Sequence, residues 1–418
     1  MNPIESNVVT TPLTAKFMSS FVLLTIIAGL GVGVARVLIS LYAVHLNASE
    51  LQLGLISAAQ NIGILLMALP IGVLVQRLGS LKVFSIGSVV GAVLYFLTPL
   101  HANAWYLMIL TALVSCFLPM RFVSINTVFL SNLKRLGPAK AGWFRGSHMM
   151  GFFLIAPALS VLLIEHFGYS GSFYCVALLF LGTLFFAPFC FQKVHHHTQS
   201  TPSFQWRDVV APLALLKTHA PLRVICALEF LSSVANNYFG FFIVVIAIQS
   251  FALPESMAVM LLTTQGIIFV GSLFTLGGLA ELVGYQKFYL IGLGLISSAL
   301  LILALTPVTL WMWPASLMLG LGLGMLHIAN FMSFAKVGEA TEMTKVSPIL
   351  ALVGPTGGLL GGVIGMVFGS SVGLQWLFLP IAIAFAGMTI YIYFSQRFLT
   401  FIQSDTSHTT QQLEGSKS

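Results

Sequence analysis

Along the chain, apolar residues gather into long runs broken by short polar joints. A helix needs roughly 20 predominantly apolar residues to cross a bilayer, and the runs reach about that length again and again. They predict twelve spans, at about 17–45, 51–75, 83–100, 105–130, 146–167 and 173–192, then 222–251, 257–280, 288–306, 311–335, 347–371 and 375–396. Most joints are a handful of residues, too short to hold a folded domain. The widest and most polar break is 193–221. The pattern therefore predicts an all-α polytopic membrane protein with a six-span bundle over 15–192 and a second over 222–400. Residues 193–221 are the linker, and 401–418, rich in Ser, Thr and Gln, are expected to be a disordered tail.

Composition removes the other classes. Of 418 residues, 7% are charged and 58% apolar, with a mean hydropathy of +0.98. An average soluble domain carries about 25% charged residues, so a soluble chain of this make-up could not cover its surface. The net charge of +7 sits on isolated Lys and Arg rather than on a stripe, which argues against nucleic acid as a partner. No glycine-rich phosphate loop with its lysine is present, so the chain has no nucleotide motor of its own. Cys116, Cys175, Cys190 and Cys226 lie in apolar segments without metal or redox spacing and read as packing residues. Glu5 and a lone Lys16 precede an apolar stretch too long for a secretory signal.

The remaining charges are sided. With the N-terminus in the cytoplasm, every Lys and Arg except Arg36 and Arg121 falls in an inner loop or tail, while the outer loops hold Glu50, Glu165 and Glu255. That asymmetry follows the positive-inside rule. It predicts a multi-pass inner-membrane protein with both termini cytoplasmic.

A shift of 205 residues superimposes one half of the chain on the other. Glu50 falls on Glu255, Gln60 on Gln265, Gly72 on Gly277, Gly79 on Gly284 and Lys82 on Lys287, without gaps. Six spans is an even number, so the halves are parallel repeats about an axis along the membrane normal. Within them, Gly72-Val-Leu-Val-Gln76-Arg77-Leu-Gly79-Ser-Leu-Lys82 resembles the loop between helices 2 and 3 of the major facilitator superfamily, G-x-x-x-D/E-R/K-x-G-x-R/K-R/K. The second copy, Gly277-Gly-Leu-Ala-Glu281-Leu-Val-Gly284-Tyr-Gln-Lys287, keeps the acid that the first replaces with Gln76. Topology, repeat and both loops extend the resemblance over about 15–400. It implies two pseudo-symmetric six-helix bundles and a conformational latch at Gly72, Gln76, Arg77, Gly79, Lys82, Gly277, Glu281, Gly284 and Lys287. Gln76 would weaken the N-terminal copy, because an amide offers no charge-assisted bond. A plain tight turn is the structural alternative.

Charges inside a membrane are costly and usually face a cavity. The resemblance implies a central cavity lined by helices 1, 4, 7 and 10, and each carries one ionisable residue here: Arg36, Arg121, Glu229 and His327. Arg36 and Arg121, with Asn126, Asn236, Asn237, Tyr238, Asn330, Gln60 and Gln265, are expected to bind substrate. Glu229 and His327 are the expected proton carriers. Each has a structural alternative in snorkelling, salt bridging or interhelical hydrogen bonding. Asn61 stands in a second tier with His148, and metal binding at His195, His196 and His197 is not expected.

Two arginines against one carboxylate make the cavity net basic, and arginine forks suit carboxylates and phosphates. The chain is thus expected to be a secondary transporter of a small organic anion or zwitterion, working without a cofactor on a proton gradient. It would act as a monomer with the solute and the bilayer as its partners. A drug or sugar exporter or a lysolipid flippase on the same scaffold stays open; a membrane-embedded enzyme, from another class, is not expected, since it would need clustered acid, base or metal ligands and His45 and His101 stand alone.

Overall fold

A computed structural model of the chain describes residues 15–136, 146–191, 215–341 and 343–395. Among them helix is nearly continuous and there is no strand. The first half holds α1 (Ala15–His45), α2 (Glu50–Leu78), α3 (Ser80–Leu97) and α4 (Ala104–Leu136). A single helix, Gly146–Cys190, then covers two predicted spans. It is divided at Gly168, whose φ of 63° and ψ of −177° leave helical space, into α5 (146–167) and α6 (169–190). The second half holds α7 (Ala220–Gln249), α8 (Glu255–Thr275), α9 (Tyr285–Leu305), α10 (Met312–Thr341), α11 (Met343–Val372) and α12 (Phe378–Phe394). Twelve crossing helices result among the described residues, the last of them 17 residues long. Residues 193–214 of the linker, with its three histidines, and the 401–418 tail lie outside the described residues.

Two joints differ from the sequence expectation. The α5–α6 connection shrinks to Gly168, because one glycine with positive φ reverses the chain where a loop of several residues was expected. The span expected over 257–280 stops at Thr275 and restarts as a two-turn segment, Gly277–Val283.

The matching turns Gly79 and Gly284 are near copies, with φ 84° and ψ 149° in the first and φ 87° and ψ 138° in the second. Each closes one helix and opens the next. Gly79 N–H donates to the Val75 carbonyl while its own carbonyl accepts from Val83, and Gly284 does the same with Ala280 and Phe288. We call the side bearing them the turn face and the opposite side the far face.

The halves meet along α2–α11, α5–α8 and α1–α7. On α2–α11 the seam is built from small residues. A Cβ on Gly54 would overlap the Met366 backbone, one on Gly362 the Ala58 backbone, and one on Gly358 the Asn61 carboxamide. Such backbone approach is how helices pack where lipid removes the hydrophobic drive. The contact belongs to the far-face half of the two helices. Further along the same stripe Gly72 has nothing within 4 Å, and the atom nearest a Gly354 Cβ is Ser233, in its own bundle. The α5–α8 seam instead continues to the turn face, where Gly146 lies against the Phe274 ring. At the far face Tyr169 Oη donates to Glu255 Oε1 at 2.7 Å, another link between the halves.

Candidate functional site

A cavity of about 210 Å³ opens beside this seam. Its lining comes from α1 (Val32, Arg36, Ile39), α2 (Gln60, Asn61, Ile64), α3 (Tyr95), α4 (Thr111, Val114, Ser115, Leu118, Phe122) and α5 (Phe152), with Asn237 of α7 as the contribution of the second half. This cavity lies within the first bundle, closed by a single residue of the other, and so differs in its lining from the four-helix cavity that the resemblance implies. Local backbone chemistry shapes one wall. Residues Met150–Ile155 form a π-helical turn in which Ala156 N–H bonds to the Gly151 carbonyl, just before Pro157. Proline offers no N–H for the Phe153 carbonyl, and the widened turn brings the Phe152 ring to 5.8 Å from the Arg36 guanidinium.

Arg36 is the centre of the site. Its Nη2 donates to Asn237 Oδ1 at 3.1 Å and to the Asn236 carbonyl at 3.4 Å. Asn61 Nδ2 donates to the same Asn237 oxygen at 3.1 Å. Asn237 Nδ2 in turn donates to the Gly358 carbonyl at 2.7 Å and to Ser57 Oγ at 3.3 Å. One carboxamide of α7 thus ties α1, α2 and α11 together. No Asp or Glu lines the cavity, and Arg36 Nε and Gln60 Nε2 are buried without a partner.

Several expected substrate residues lie elsewhere. Arg121, 2% exposed, turns into the first bundle rather than the cavity. Its guanidinium stacks on Phe180 at 3.7 Å and sits 5.6 Å from the Phe84 ring. Nη2 reaches Thr183 Oγ1 at 3.5 Å, while Nε and Nη1 have no partner. Aromatic faces of α3 and α6 hold this cation in place of an anion. Asn126 is exposed and does not line the cavity. Tyr238 is fully buried, and its hydroxyl donates to the Leu374 carbonyl at 2.7 Å, pinning α7 to the α11–α12 turn. Gln265 is buried with its backbone against Gly320, away from the cavity that its repeat mate Gln60 lines.

The polar residues of α7 and α10 turn to one another instead. Asn330 Nδ2 donates to Glu229 Oε2 at 3.1 Å, and Tyr289 Oη donates to Asn330 Oδ1 at 3.1 Å and shares a bond of 2.9 Å with Ser333 Oγ. His327 stands 6.0 Å from the Phe269 ring. Among the latch residues, the side chains of Gln76, Arg77, Lys82 and Lys287 are exposed. Sequence reasoning underrated Asn61, which stands next to Gln60 on the small-residue stripe. It missed Tyr95, Thr111, Ser115, Phe122 and Phe152, whose residue types are ordinary in apolar helices. Among the described residues no three of His, Cys, Asp and Glu gather where they could hold a metal ion.

The Major Facilitator Superfamily profile matches residues 21–346. No protein of curated function matches the sequence. Among solved structures, the chain is similar to the nucleoside transporter NupG, with a TM-score of 0.70 and 15% identity over 90% of this chain and 98% of that one. A point mutant of NupG aligns with a TM-score of 0.69 and 16% identity, covering 93% of this chain and all of its own. At such identity the likeness speaks for the fold.

Proposed function

Because the chain belongs to the Major Facilitator Superfamily, we propose that this membrane transporter moves a small organic anion by alternating access, driven by a proton gradient. Arg36 carries the proposal: a cation lines a cavity that no carboxylate lines. An anion would supply the missing charge, whereas the ammonium of a zwitterion would find no acid there. The volume of about 210 Å³ lies below the roughly 300–1,000 Å³ of pockets for drug-sized ligands, which favours a small solute.

Glu229 is the proposed proton carrier, since its carboxyl joins a buried chain through Asn330, Tyr289 and Ser333 that a proton would rearrange. His327 is the second candidate. In this proposal the turn face is cytoplasmic, the protein is a monomer of the inner membrane, and the separation of α2 from α11 marks an inward-open state. The latch residues of the two turns would then engage in the opposite state.

Uptake into proteoliposomes tests the proposal. Arg36→Gln should abolish uptake of an anion, and Glu229→Gln should abolish its response to an acid exterior while leaving exchange intact. Anion uptake at the wild-type rate in Arg36→Gln overturns it. A neutral nucleoside is the alternative cargo, favoured by the amides of Gln60, Asn61 and Asn237 beside the Phe122 and Phe152 rings and by the likeness to NupG. Uridine uptake indifferent to Arg36→Gln would select it.

A further inference from the structure

Several hydrogen-bond donors of the cavity wall lack an acceptor or share one. Arg36 Nε and Gln60 Nε2 are buried and unused, while Arg36 Nη2 and Asn61 Nδ2 converge on one oxygen, Asn237 Oδ1. The bond from Asn237 Nδ2 to the Gly358 carbonyl fixes which end of that carboxamide faces Arg36. Ser115 Oγ is engaged with helix backbone, accepting from Gly63 N–H and donating to the Ala112 carbonyl. A neutral amide oxygen therefore occupies the place where the donors call for an anionic one. The rest of the lining is mostly apolar, with Val32, Ile39, Ile64, Phe122 and Phe152 beside Thr111 and Tyr95.

We infer that the cavity takes a small monocarboxylate with an apolar or aromatic body, whose carboxylate displaces Asn237 from Arg36 and so loosens the joint between the halves. This rests on the organic-anion reading above and narrows it. One guanidinium balances one negative charge; a dicarboxylate or phosphate monoester would leave further charge against apolar walls, where an unpaired ion is heavily penalised. A carboxylate can take two parallel N–H bonds from Nε and Nη2 together, whereas the amide oxygen takes Nη2 alone. Gly240 keeps that flank of the guanidinium clear, since a Cβ there would stand 2.7 Å from Nη2 and 3.5 Å from Nε. Binding would break the bonds from Arg36 to Asn236 and Asn237, which cross the seam, and leave Asn61, Ser57 and the Gly358 carbonyl holding the carboxamide.

Calorimetry and thermal shift on the purified full-length protein test the inference, with phenylacetate, hexanoate, phenylacetamide, succinate, phenyl phosphate and uridine as probes. Phenylacetate and hexanoate should bind, and the other four should bind at least about tenfold more weakly, a difference of ~1.4 kcal/mol. Arg36→Gln should lose the two monocarboxylates. Asn237→Asp places a permanent carboxylate on Arg36 while giving up the Nδ2 bond to the Gly358 carbonyl, so it should bind phenylacetate about tenfold more weakly. Its own cooperative melt reports that it is folded. Equal binding of succinate or phenyl phosphate, lost in Arg36→Gln, overturns the monocarboxylate assignment and leaves the organic-anion reading standing. Uridine binding indifferent to Arg36→Gln overturns both. Wild-type phenylacetate binding by Asn237→Asp overturns the displacement, and failure of every probe to bind overturns the inference.

Discussion

Arg36 of α1 and Asn237 of α7 meet across the seam between the two halves, 3.1 Å from guanidinium nitrogen to carboxamide oxygen. A cation deep in a membrane protein costs about 3 kcal/mol or more, and hydrogen bonds to a charged group return roughly 1.5–3 kcal/mol each. Neutral oxygens thus keep Arg36 in place while leaving its charge unmatched. The pair is at once a structural joint and the centre of the candidate site.

The fork of Arg36, and not only its charge, should matter. Lysine keeps the cation but offers no planar pair of N–H groups. Arg36→Lys is expected to raise the half-saturation constant for anion uptake about tenfold, the loss of about one charge-assisted bond. Initial rates in proteoliposomes over a range of anion concentrations measure it.

Arg121 should prove dispensable for the solute. It is packed between Phe84 and Phe180 and does not line the cavity. Taking one ion out of water costs several kcal/mol, which an apolar side chain of similar volume does not incur. Arg121→Met is therefore expected to leave the half-saturation constant unchanged and the melting temperature unchanged or raised. A thermal melt alongside an uptake curve checks both.

The α2–α11 seam should tolerate no side chain at Gly362. There a Cβ already overlaps the Ala58 backbone, so Gly362→Leu should hold the far face open and stop transport. Ser57, fully buried in the closed seam, reports this as Ser57→Cys. A membrane-impermeant maleimide should label it faster in the Gly362→Leu background than in the glycine parent.

The two turns should be costly to alter. Gly79 and Gly284 sit at φ 84° and 87°, in a region that residues with a Cβ enter at a cost of order 1–3 kcal/mol. Gly79→Ala and Gly284→Ala should each lower the thermal midpoint, and the double variant should fall by about the sum, since the turns share no partner. Differential scanning fluorimetry measures the effect.

Much of this protein was legible in its sequence. Twelve apolar runs, the matching polar positions and the paired turn loops specify helices, repeat and turns, because membrane helices satisfy their backbone within each segment. Arg36, Gln60 and Asn237 were legible too, since polar side chains are rare enough in apolar helices to stand out. The direction of those side chains was not. Arg121 and His327 fall within one residue of each other in the repeat, yet Arg121 stacks on Phe180 and His327 stands near Phe269. Glu229 and Asn330 were assigned to the cavity by helix, but they bond to each other.

What the sequence alone determined is therefore what depends on neighbours along the chain: span, sidedness of charge, glycine turns and repeat. The tertiary structure decided which polar groups share a space, because that depends on helix rotation and on how closely α2 approaches α11. Rotation and approach are set by packing between residues some three hundred positions apart, such as Gly54 and Met366, and no local pattern encodes them. So the sequence supplied the charges, and packing chose Arg36 alone to line the cavity.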